Sequence, residues 1–140
     1  MAWLNAVPKP APGTRRADRA AESDAPPPIS RIEQYRAEQI TPAMPPNPAP
    51  HIITRLVEIG LSEAAGMGAV PLSWGTINEW QRATGVRLAP WEARLLHRLS
   101  TEYLAEGRRA ESENCPSPWR APISQAERDA DEARVLEMFG

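Results

Sequence analysis

Apolar residues recur through the middle of the chain with the period of an α-helix, and no stretch shows the alternation of a strand. Ile52, Ile53, Leu56, Val57 and Ile59 fit a 3.6-residue repeat, which predicts a helix over 51–59 closed by Gly60. Residues 60–72 read as a loop containing Gly66 and Gly68. Trp74, Ile77 and Trp80 share one face of a second helix, 73–84, capped by Ser73 and ended by Gly85. A third and longest helix is expected from about Pro90 to Arg108. Pro90 suits its first position, and Glu92 places an acid in its first turn, where the helix dipole favours one. Leu88, Trp91, Leu95, Leu99 and Tyr103 form one stripe along it, widened by Leu96. The tight turn Gly85–Leu88 predicts that the second and third helices pack as a hairpin.

Proline changes the picture at the ends. The chain has 16 prolines in 140 residues, and 11 of them fall in the first 50, which rules out ordinary helix or central strand over most of that third. Residues 1–29 read as an extended, polyproline-like arm with Trp3, Leu4 and Val7 at its tip, which anchors to a partner, folds back on the chain's own body or is disordered without a role. A short helix near 30–40 is signalled by the capping-box pair Ser30 and Glu33, and a second proline linker follows to Pro50. Residues 115–122 form a rigid connector to a last, acidic helix, 124–138, with a thin face of Ala126, Ala130, Ala133 and Leu136. The expected fold is therefore all-α: a small three-helix core with a helical hairpin, a proline-rich extended N-terminal arm and an additional C-terminal helix. Its parts are an arm at 1–50, a helical core at 51–110, and a connector with acidic helix at 111–140. A core of roughly 70 residues is near the lower limit for independent stability.

Charge and chemistry narrow the function. The balance is 16 basic against 18 acidic residues, net −2, which argues against a nucleic-acid binder. From Glu111 onward seven acids face three arginines, so that tail carries −4 and the rest +2. No apolar run approaches a membrane span, and Asn5 and Pro8 interrupt a short apolar start, so no signal peptide is expected and cytoplasmic synthesis is. Cys115 stands alone and forms no internal disulfide; with no histidine nearby in the sequence it is not read as a nucleophile. His51 and His97 belong to no cluster with metal-ligand spacing. Gly66-Met67-Gly68 follows no strand and precedes Pro71, so it is no phosphate loop. Glu92 and Glu102 lie about 15 Å apart along one helix, too far to act as an acid/base pair on one small substrate. Ser100 has no visible base. A helix-turn-helix reading of 73–108 meets only a modest basic face, Arg87, Arg94 and Arg98, shared with Glu92 and Glu102. The expectation is a non-enzymatic protein with no cofactor and no metal.

Five of the eight aromatic residues are tryptophan. Trp74, Ile77, Trp80, Gly85, Leu88, Pro90-Trp91-Glu92, Leu99-Ser100 and Tyr103 fall in an order that resembles the tail assembly chaperones, or tail assembly proteins, of tailed bacteriophages. The Met-Ala-Trp-Leu start, Val-Pro-Lys-Pro and the proline-rich segment 42–50 add to that likeness. The resemblance implies a chaperone that covers apolar stripes of the helical tape-measure protein, helps recruit tail-tube subunits in the host cytoplasm, and is absent from the finished tail. It also implies a short form and a frameshifted longer form. Trp74, Trp80, Trp91, Leu95, Leu99 and Tyr103 are the candidate contact residues, with Trp3 and Leu4 on the arm. Aromatic stripes at this spacing also build cores, so each residue stands as both. The alternative is a small structural protein of the virion, in the tail or head-to-tail connector, using the N-terminal arm against neighbouring subunits. A homo-oligomer fits either reading, and a host-directed regulator is a third.

Overall fold

A computed structural model describes all 140 residues. It is predominantly helical, with seven helices covering 53% of the chain and one small antiparallel hairpin. In chain order the elements are α1 (Ala2–Asn5), α2 (Arg15–Ala20), α3 (Arg31–Ala37), α4 (Pro50–Ile59), β1 (Glu63–Ala65), β2 (Gly68–Val70), α5 (Trp74–Thr84), α6 (Pro90–Ala110) and α7 (Gln125–Phe139).

Local chemistry sets most helix ends. Ser73 caps α5, its hydroxyl accepting from the Thr76 N–H, and Gly85 closes that helix in the left-handed conformation at φ 72°. Ser30 with Glu33, and Ser124 with Glu127, form complete capping boxes. Pro90 occupies the first turn of α6, and the Glu92 carboxylate accepts from the Ala89 N–H at 2.8 Å. At the end of α3, Gln39 takes φ 57°; the Gln39 and Ile40 N–H groups donate back to Arg36 and Tyr35, which is a Schellman closure.

Only 12 residues are buried, so each interior side chain carries a large share of the stability. The main cluster is Ile52 and Leu56 from α4, Leu72 from the approach to α5, Ile77 from α5 and Leu96 from α6, with Ile59, Leu61, Leu88, Leu95 and Leu99 packed around it. Burying one such side chain contributes about 1.5–3 kcal/mol. Helix α4 packs against both α5 and α6. The Trp74 ring of α5 stacks on His97 of α6, and in the turn between the two helices the Leu88 N–H donates to the Gln81 carboxamide oxygen at 2.8 Å. Ile77 of α5 and Leu96 of α6 belong to one buried cluster with Ile52 and Leu56 of α4.

Three expectations are corrected. First, residues 60–72 are not a plain loop, and the chain is not purely α. β1 and β2 pair Glu63 with Val70 and Ala65 with Gly68 around a two-residue turn, with Gly66 at φ 43°. The strands are three residues each and mostly solvent-facing, so no hydrophobic alternation announces them. Second, the N-terminal third is less extended than expected. α1 and α2 join the expected short helix, α3, and of the placements open to the arm it takes the folded-back one, with α1 against α3 and α6 and with Ala2 and Leu4 buried. Third, the inner face of α6 is centred on Leu96 and Ser100, not on the Trp91–Leu95 line. At 100° per residue Trp91 lies about 140° round the helix from Leu96.

Candidate functional site

The predicted contact residues divide into three groups by burial. Trp80 and Leu4 are interior, each 9% exposed, and Leu95 and Leu99 pack at the rim of the core. Trp3 and Tyr103 are half-buried at the junction of α1 with α6. Trp74 and Trp91 stand out in solvent, at 49% and 53% exposure. Both begin their helices, so their backbones are fixed while their indoles remain free. Trp74 is held from behind, its ring 4.6 Å from that of His97 at an interplanar angle of 25°. Hence the eight residues do not form one surface; the structure offers Trp74 and Trp91 directly.

His97 and Ser100 both meet the backbone of Leu72. His97 Nδ1 lies 2.7 Å from the Leu72 carbonyl oxygen. The Ser100 hydroxyl is fully buried, donates to the Leu61 carbonyl at 2.5 Å and accepts from the Leu72 N–H at 2.9 Å. One serine thus ties both ends of the β1–β2 segment to α6. It also holds Leu61, which takes φ 59°, a left-handed conformation rare for leucine. The Glu63 carboxylate secures the same segment by accepting from Ser73 N–H at 2.6 Å. Hydrogen bonds from the Thr76 hydroxyl and the Ser73 backbone hold its carboxyl below the usual glutamate range.

Glu92 is likewise a brace. The Ala89 N–H lowers its pKa most, and the charges of Arg55, at 2.6 Å, and His51, at 3.5 Å, act in the same direction against desolvation. It joins α4 to the start of α6. No group of three His, Cys, Asp or Glu side chains is placed to hold a metal ion. No helix is long and apolar enough to cross a membrane.

The most constrained polar centre is Arg31, which sequence reasoning passed over. It is only 7% exposed and its guanidinium meets no carboxylate. Instead it donates to the carbonyls of Ala110 at 2.6 Å, Ser112 at 2.9 Å and Trp3 at 3.1 Å, and it lies over the Trp3 ring at 4.5 Å. Two of those carbonyls belong to the C-terminal end of α6, where the helix dipole is negative. The Trp3 indole N–H donates to the Cys115 carbonyl at 2.9 Å, and Lys9 pairs backbone-to-backbone with Glu111 and Glu113. Nothing local in the sequence marks a buried arginine, because its partners lie some 80 residues away and are backbone atoms.

Two clefts border this clamp. The larger, about 730 Å³, is lined by Trp3, Arg16, Tyr35 and the prolines 26–28; a second, about 360 Å³, lies among Trp3, Leu4, Tyr35, Met44 and Trp119. No protein-family model, curated protein or solved structure matches the chain.

Proposed function

We propose that this chain is a non-enzymatic assembly chaperone of the bacteriophage tail type, which binds helical segments of the tape-measure protein and assists tail-tube assembly in the host cytoplasm. In this reading residues 51–110 act as a three-helix core unit, residues 1–50 as an attached brace, and residues 111–140 as connector and acidic helix. The observation that carries it is the pair Trp74 and Trp91, two half-exposed indoles on the fixed first turns of α5 and α6. Aromatic anchors on a rigid helical scaffold suit an amphipathic helix laid across them. The motif Trp74 to Tyr103 supplies the phage-tail part of the proposal.

The test is a pull-down from infected cells together with mass spectrometry of purified virions. The chaperone reading expects tape-measure protein in the pull-down and none of this chain in virions. Presence in virions at a fixed stoichiometry would favour the structural-subunit reading instead. One observation favours that second reading: α7 has no buried residue, so its whole surface is open to neighbouring subunits. The N-terminal arm, first expected in that role, is occupied on α6.

A further inference from the structure

The larger cleft beside the clamp, about 730 Å³, carries an excess of cations. Arg16, Arg19 and Arg31 line it against one acid, Glu113. Asp18, Glu22 and Asp24 belong to α2 and the loop after it but do not line the cleft. Glu113 is already engaged, its carboxylate accepting from Arg16 at 3.1 Å. Arg19 is exposed and enters no ion pair.

Arg31 adds a buried charge to this wall. A guanidinium has five N–H donors. Three go to the carbonyls of Trp3, Ala110 and Ser112, all from the two terminal nitrogens, and two are left over. No buried side-chain nitrogen in the chain lacks a hydrogen-bond partner, so the unbonded Nε reaches open space, and the cleft is the open space that Arg31 lines. The carbonyls supply partial charges only. A full positive charge therefore sits in a site 7% exposed with no counter-charge, where buried charges are ordinarily paired.

The rest of the lining suits an organic group. Prolines 26–28 carry no N–H donors and form a stiff apolar wall, and Trp3 and Tyr35 add aromatic surface. The volume is far larger than a bare ion needs and falls within the range of small-molecule sites, roughly 300–1,000 Å³. Planar guanidinium groups match carboxylate and phosphate oxygens two at a time.

We propose that this cleft binds a small organic oxyanion, a phosphate or a carboxylate. Arg19 and the free donors of Arg31 take the anion, and prolines 26–28 with Trp3 and Tyr35 take the organic part. Arg16 can exchange Glu113 for the ligand, because its side chain is 81% exposed and an exposed pair contributes little. The site is separate from Trp74 and Trp91 and does not depend on the external partner being a tape-measure protein.

Calorimetric titration of the full chain with adenosine monophosphate, benzoate and inorganic phosphate tests it, alongside the Trp3 indole N–H resonance. The expected result is saturable binding of an organic anion that shifts the Trp3 resonance. Tighter binding of the nucleotide assigns a phosphate, and tighter binding of benzoate a carboxylate. Arg19→Ala should weaken the tighter ligand at least about tenfold, the effect of losing a charge-assisted hydrogen bond, with unchanged melting. Arg87→Ala, which removes the same charge outside the cleft, should leave binding unchanged. No binding of either organic anion at millimolar concentration overturns the proposal. So does binding that falls equally in Arg19→Ala and Arg87→Ala, or inorganic phosphate that binds as tightly as the organic anions.

Discussion

The α4–α6 region and the N-terminal region are held by different forces. In the first, Ile52, Leu56, Leu72, Ile77 and Leu96 interlock, and polar groups such as Ser100 and Glu92 brace the joints. In the second, α1 and α3 bury few apolar side chains, and Arg31, Trp3 and Lys9 bind them to backbone atoms around the end of α6. Apolar packing is tolerant of small shifts and costly to hollow out. A clamp made of charged hydrogen bonds is directional, and one lost side chain releases all of it. The first region is therefore expected to unfold as the stable unit, and the second to open before it.

The largest effect should come from hollowing the first region. Leu96→Ala is expected to cost about 2–5 kcal/mol, read as a loss of midpoint in chemical denaturation. If it costs well under 1 kcal/mol, the core does not centre on Leu96. Next comes the clamp: Arg31→Ala leaves three carbonyls short of donors, and hydrogen bonds to a charged group contribute about 1.5–3 kcal/mol each at most. Its effect should be local, exposing Trp3 to collisional quenchers while the main melting transition moves little. Arg31→Lys should rescue only partly, since an ammonium cannot present the planar fork.

The polar braces make the comparison depend on pH. Glu33, Glu63, Glu92 and Glu127 all have carboxyl pKa values below the ordinary glutamate range, chiefly because of hydrogen bonds from Ser30, Thr76, Ala89 and Ser124 respectively. A depressed folded-state pKa contributes stability that is complete above the unfolded-state value and is lost as pH falls through the folded-state one. The stability these four carboxylates contribute should thus be complete at neutrality and decline on acidification below the usual glutamate range. Glu92→Gln should make that decline shallower. The smallest effect concerns the exposed surface: Trp91→Ala should change stability by no more than about 0.5 kcal/mol, far below the cost of a core tryptophan, while partner binding is lost.

Much of the first region was legible because periodicity reports burial. The helices over 51–59, 73–84 and 90–108 appear within about two residues of their expected ends, and Ser73, Gly85 and Pro90 act as read. What the pattern could not convey was orientation. The run Trp91, Leu95, Leu99 looked like the inner stripe, but Ser100, a polar residue with two buried partners, sits at its true centre beside Leu96. The hairpin escaped because its strands are short and exposed, and the folded-back arm because its clamp is long-range and made to backbone. For the candidate site, residue types were readable but exposure was not; Trp74 and Trp80 share α5 but lie about 120° apart round it, so one is exposed and the other buried.

Amide hydrogen exchange on the intact chain tests the division between the two regions most directly. The account expects three tiers: slowest in α4, α5 and the first half of α6, intermediate in α1 and α3, and fastest in α7. It further expects Arg31→Ala to speed exchange in α1, α3 and the last turn of α6 alone. Equal protection across α1–α6, lost everywhere together in Arg31→Ala, would contradict it and make the chain a single cooperative unit.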